Sequence, residues 1–156
     1  PAMQCLIQLL LDADTSFCAF SADEAFERKI SQLTYCPIQS MEKAAYVLMT
    51  KSVNTALPSV IEQVGGGTLE DPQLGATLIV ECDALKGDGE LVMKGPGIEN
   101  SARCQIEIQA DWIEARTEKN AEFPLGVDLI FVDSAGQILC LPRTTQINKE
   151  AETWLM

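Results

Sequence analysis

The residues with the most chemical capacity fall in two short stretches late in the chain. Asp128 is the one charge in the apolar run Val127-Asp128-Leu129-Ile130-Phe131-Val132, and Leu141-Pro142-Arg143-Thr144-Thr145 follows it. A carboxylate inside an apolar strand must find a donor or give up its charge. Arginine suits it best, because the guanidinium is planar, always charged and able to bond both carboxylate oxygens. Between the stretches, Asp133-Ser134-Ala135-Gly136 suits a tight reversal, with Asp bonding its own backbone and Gly relaxing the last position. If Ser134 and Ala135 are the central turn residues, Asp128 opposes Leu141 and Arg143 is its diagonal neighbour on the same face. A bulge at Gly136 shifts that register by one. Asp128 and Arg143 are therefore expected to pair. The pair serves either as an anchor for the strand ends or, with the Thr144 and Thr145 hydroxyls, as a contact for a partner subunit or an anionic ligand.

The rest of the chain offers little catalytic chemistry. It contains no histidine, which removes Ser-His and Cys-His arrangements together with the usual acid/base group near neutral pH. Lys29, Lys43, Lys51, Lys86, Lys94, Lys119 and Lys149 stand in polar or turn contexts, not in the desolvated pocket that a Schiff-base lysine needs. Cysteines 5, 18, 36, 82, 104 and 140 form no C-x-x-C pair and have no histidine to complete a zinc set. Most lie in apolar stretches such as Phe17-Cys18-Ala19-Phe20, where a free thiol behaves as a small buried hydrophobe. Reduced thiols of this kind fit a cytoplasmic protein. Gly65-Gly66-Gly67 lacks both the G-x-G-x-x-G spacing and a G-K-[ST] ending, so it reads as a plain loop and not as a phosphate cradle. No catalytic residue, metal or cofactor is assigned from these residues.

Charge narrows the partners further. The net charge is −12, and the Lys and Arg residues, 11 in all, are scattered, so the basic footprint of a DNA- or RNA-binding surface is missing. Nucleic acid and membrane are excluded as direct partners. A chain of 156 residues with 47% hydrophobic and 22% charged residues is expected to form one globular domain.

The elements that must position Asp128 and Arg143 alternate between helix and strand. Apolar residues at 3, 6, 7, 10 and 11 predict an amphipathic helix over Ala2–Leu11. Thr15–Phe20 is a strand candidate, and Ser21 with Glu24 reads as a capping box for a helix reaching Leu33. Ala44–Met49 offers a further strand, with a helical reading also open. Asn54–Val64 is read as a helix with Pro58 in its first turns, ended by the three glycines. Leu74–Cys82 is a strand expected to pair with Glu90–Lys94 across Lys86-Gly87-Asp88-Gly89, leaving the second strand with an open edge. Ala102–Gln109 alternates as a strand, and Ala110–Lys119 is a helix with Asp111 as its N-cap. The fold class is α/β, a three-layer mixed sheet with helices on its faces.

Four of these segments carry a resemblance. In order and approximate spacing, Leu74-Gly75-Ala76-Thr77-Leu78-Ile79, Leu91 through Gly95-Pro96-Gly97-Ile98, Phe123-Pro124-Leu125-Gly126-Val127-Asp128-Leu129-Ile130 and Leu141-Pro142-Arg143-Thr144-Thr145 resemble the PhnH subunit of the carbon-phosphorus lyase system. The C-terminal half carries the likeness, and residues 1 to 73 match in pattern only. The resemblance implies one PhnH-like domain over residues 1–156, with a fold similar to the large domain of pyridoxal-phosphate-dependent transferases but without the cofactor lysine. It also implies a cytoplasmic homodimer that joins other lyase subunits as a non-catalytic member, acting through protein interfaces in organic phosphonate catabolism. The alternative is an enzyme or a binder of a small phosphonate or nucleotide, with its site near Asp128 and Arg143. Two departures stand out: the helical segment that usually opens the family is expected to be lacking, and Gln146 stands where the family commonly has histidine. The open edge at Glu90–Lys94 gives a separate reason to expect self-association.

Overall fold

A computed structural model describes residues 2–150. Pro1 and residues 151–156, which the expectation of one domain also covers, lie outside the described residues. The chain runs α1 (Ala2–Leu10), β1 (Phe17–Phe20), α2 (Phe26–Thr34), β2 (Tyr46–Met49), a 3-10 turn (Lys51–Ala56) leading into α3 (Leu57–Gln63), and a second 3-10 turn (Pro72–Leu74). It continues through β3 (Thr77–Glu81), β4 (Ala84–Lys94), β5 (Ala102–Glu107), α4 (Ile113–Lys119), β6 (Asp128–Val132), β7 (Ile138–Leu141) and β8 (Gln146–Lys149). The main sheet has the order β1-β2-β3-β6-β7. Its first four strands are parallel and β7 is antiparallel to β6; β5-β4-β8 form a separate antiparallel sheet.

Strands buried on both faces read as continuous apolar runs because each side of the pleat needs its own cover. Leu48, Ile79 and Val132 pack on one face against Met3, Leu6 and Ile7 of α1 and Ile30 of α2. Val47, Met49, Leu78, Val80, Leu129 and Phe131 pack on the other, against α3 and the small sheet. Trp112 joins this second core with its ring 5.0 Å from that of Phe131. Each fully buried Leu or Phe contributes roughly 1.5–3 kcal/mol relative to exposure. Packing on two faces therefore holds strands as short as β2, and the layers correspond to the α/β architecture expected from the sequence.

Four local expectations need correction. Glu90–Lys94 does not pair with Leu74–Cys82: it is the end of β4, which leaves the main sheet and lies between β5 and β8. Both edges of β4 are thus occupied, and the open edge that argued for self-association is not there. Lys86-Gly87-Asp88-Gly89 is not a turn but part of this long strand, with a register irregularity between Lys86 and Leu91. Ser21 and Glu24 form no capping box, since α2 starts at Phe26 after Ala25 with no side-chain cap; Ser21 Oγ and Asp23 Oδ1 instead accept from Asp23 N and Ala25 N. Asp111 does not cap α4, which begins after Trp112, and it meets Lys149 Nζ at 3.3 Å.

Candidate functional site

Asp128 and Arg143 do meet, by a different route from the diagonal one. Gly136 takes φ 84° and Asp133 N donates to Gln137 O at 3.1 Å, so the reversal carries the extra residue of a glycine bulge. Leu129, not Asp128, then opposes Leu141. Arg143 reaches the carboxylate because β7 ends at Leu141 and the chain turns, with Thr145 N donating to Pro142 O at 2.9 Å. Arg143 N donates to Asp128 Oδ1 at 2.7 Å and Nη2 to Oδ2 at 2.9 Å. The side chains are 16% and 33% exposed, so the pair is less screened than a surface ion pair.

The same guanidinium extends beyond Asp128. Nη1 donates to Pro72 O at 2.9 Å and Pro124 O at 3.3 Å, tying the turn before β3 and the loop before β6 to the end of β7. The motif glycines exist for this close approach. A Cβ on Gly75 would strike Gly126 O and stand 2.8 Å from Arg143 Nη1. Gly126 has φ 128°, a conformation that only glycine adopts at low cost, and a Cβ there would collide with Asn120. Asn120 acts as a strand neighbour to Val127, accepting from its N at 2.7 Å and donating to its O at 3.1 Å. Gly126 N donates to Gly66 O at 2.9 Å, which uses the glycine loop for packing. Gly95 joins them, with its missing Cβ 3.1 Å from Thr145 Cα. All four segments of the resemblance converge on this end of the molecule.

Arg116, which sequence reasoning missed, lies beside them. It is 2% exposed, and both hydrogen bonds of its guanidinium leave from Nη2, to Pro142 O at 2.8 Å and Thr145 O at 3.0 Å. Its Nε is buried without a partner, and among the described residues no carboxylate pairs with it. Burial draws its pKa down, and the charge of Asp128 opposes that shift. A pocket of about 400 Å³ is lined by Arg116, Thr117, Asn120, Arg143, Thr145 and Gln146, among others. Of the four residues singled out in the sequence, Arg143 and Thr145 therefore reach this pocket. Asp128 holds Arg143, Thr145 is itself buried and Thr144 is exposed.

The opposite end of the sheet has another character. Open α/β sheets commonly bind ligands beyond the carboxyl ends of their strands, and there the chain collects acids. Asp133 accepts from Leu85 N, Ala135 N and Gln137 N at 3.0, 3.0 and 2.9 Å. Burial pushes its carboxyl upward, but these backbone donors outweigh burial and hold it below the ordinary aspartate value. Lys51 Nζ lies 2.7 Å from Asp83, while Lys51 N donates to Glu81 Oε2 at 3.0 Å. Cys82 is pushed up to about 11 by burial, with Asp133 and Asp83 adding to the shift. That shift runs against the thiolate that a nucleophile requires.

Fold and site together define an α/β domain organised round a charged anchor at the amino ends of a mixed sheet. The family of bacterial phosphonate metabolism proteins called PhnH matches residues 1–148, and the chain belongs to it. It is 43% identical over 83 residues to HtxG of Stutzerimonas stutzeri, whose name assigns it to a C-P lyase as a subunit; that stretch covers 53% of this chain and 42% of HtxG. It is 37% identical over 90 residues to the alpha-D-ribose 1-methylphosphonate 5-triphosphate synthase subunit PhnH of Rhizobium meliloti (strain 1021), covering 57% of this chain and 44% of that protein. The matched stretch thus spans less than half the length of either relative.

Proposed function

We propose that the chain serves organic phosphonate catabolism as a non-catalytic subunit of a carbon-phosphorus lyase complex, working through protein interfaces. The family match over residues 1–148 carries this reading, and two relatives bearing the names of a C-P lyase subunit and a synthase subunit support it. The chemistry of the site agrees: the Asp128–Arg143 pair spends its hydrogen bonds on three backbone segments, as an anchor does. Arg143 with the exposed Thr144 is the candidate contact, held from within by Asp128, while Thr145 closes the turn through its N onto Pro142 O.

Self-association into a homodimer finds support at β7, an edge strand of the main sheet that leaves Ile138 49% exposed and Cys140 open, because an unpaired edge with apolar side chains invites a second strand. A cytoplasmic location fits six free thiols and the reducing compartment they imply. Among the described residues no helix is long and apolar enough to cross a membrane. A sheet parallel but for one strand, set between packed layers, supports the likeness to the large domain of pyridoxal-phosphate-dependent transferases.

The test is genetic and biochemical together. Deletion of the gene is expected to abolish growth on a phosphonate as sole phosphorus source, and the tagged chain is expected to recover other lyase subunits. Light scattering of the purified chain should report a dimer. Normal growth of the deletion strain, with no lyase subunit recovered, would contradict the reading.

A further inference from the structure

We propose that the pocket beside Arg116 is a binding site for a small oxyanion of the phosphate or phosphonate class. The chain carries 23 Asp and Glu against 11 Lys and Arg, yet the lining of this pocket contains two arginines and no acid. Arg143 is paired directly with Asp128, whereas Arg116 forms no salt bridge among the described residues and feels the charge of Asp128 only at longer range. A buried cation without a counter-charge is costly, and two carbonyl oxygens on Nη2 leave three of the five guanidinium N–H groups unused. The burial of Arg116 also leaves its charge less screened toward the adjoining space than it would be in water.

Size and lining agree with a small polar ligand. A volume of about 400 Å³ falls within the range of small-molecule sites. Around the arginines stand the neutral hydrogen-bonding groups of Gln146 and Asn148, the latter exposed on β8. These groups can bond oxyanion oxygens without adding repulsion. The presence of an anion site rests on this geometry alone. The preference for phosphorus oxyanions over carboxylates rests on the reading of the chain as a phosphonate-metabolism protein.

The test is thermal denaturation and calorimetric titration of the full chain with inorganic phosphate, methylphosphonate, acetate and chloride at matched ionic strength. Phosphate and methylphosphonate are expected to raise the melting temperature above that in chloride, and acetate is not. Arg116→Gln removes the cation but also two interior bonds, so Asn148→Asp serves as the second variant: it is nearly isosteric and exposed, and it places a carboxylate on the lining. It should weaken phosphate binding at least about tenfold, since an opposing charge near the ligand costs more than the roughly 1.4 kcal/mol that a factor of ten represents. Lys51→Gln, at the other end of the sheet, should leave the affinity unchanged. Phosphate acting no better than chloride, or equal affinity in Asn148→Asp, would overturn the site. An equal response to acetate would overturn its phosphorus class, and neither result would touch the growth and pull-down outcomes.

Discussion

The amino and carboxyl ends of the parallel strands in the main sheet differ in how they spend their charges. At the amino end, two arginines are fixed by carbonyl oxygens from Pro72, Pro124, Pro142 and Thr145, Asp128 accepts from Arg143, and a guanidinium N–H is left over at Arg116. At the carboxyl end, Asp133 is saturated by backbone donors, Glu81 accepts from the backbone N of Lys51, and Asp83 pairs with Lys51 Nζ. The end where open α/β sheets ordinarily hold ligands is thus the acidic one, and the proposed anion site lies at the other.

The comparison can be broken most severely by Gly126→Ala, which forces a side chain into a left-handed conformation against Asn120. The expected loss is about 3 kcal/mol of stability by chemical denaturation; a loss within about 0.5 kcal/mol would mean that the amino end is not close-packed. Next comes a double-mutant cycle with Asp128→Asn and Arg143→Gln. Each single change is expected to cost about 1.5–3 kcal/mol, with a coupling of about 1 kcal/mol or more, against the scatter of about 0.5 kcal/mol for independent sites.

At the other end, Asp133→Asn sharpens the contrast through pH. The folded-state pKa of Asp133 lies below its unfolded value, so its stabilisation is present above the unfolded aspartate value of about 3.9 and is lost as pH falls through the lowered folded value. The melting-temperature gap between the protein and this variant should hold steady from neutral pH down to about 5 and shrink below about 4. A gap independent of pH would contradict the assigned bonds. The smallest effect is expected for the exposed Lys51–Asp83 pair, whose cycle should give a coupling below about 0.5 kcal/mol.

What could be read from the sequence follows from how local each determinant is. β3 and β6 were legible as apolar runs because both faces of the sheet are covered there, β2 left a helical reading open, and β7 was legible from the turn before it, its own outer residues being exposed. α1 was legible from its amphipathic spacing because one of its faces packs on the sheet. The Asp128–Arg143 pair was legible because a lone carboxylate in an apolar strand demands a donor, although the register that led to it was shifted by Gly136. β4 was misread because Lys86-Gly87-Asp88-Gly89 has the composition of a turn. Gly89 is instead a place where a Cβ would press on Cys104 and Gln105 of the adjacent strand, and tertiary pairing overrides local preference. β8 went unread, and Arg116 with it. An arginine on a short helix looks solvated until the chain from Pro142 to Asn148 folds over it, and that cover comes from a contact distant in sequence.

Hydrogen exchange with and without inorganic phosphate tests most directly that the amino end is where this molecule meets a ligand. The account predicts slower exchange over residues 113–121 and 142–148, with residues 81–85 and 133–137 unchanged. Protection confined to the carboxyl end, or no protection at saturating phosphate, would contradict it.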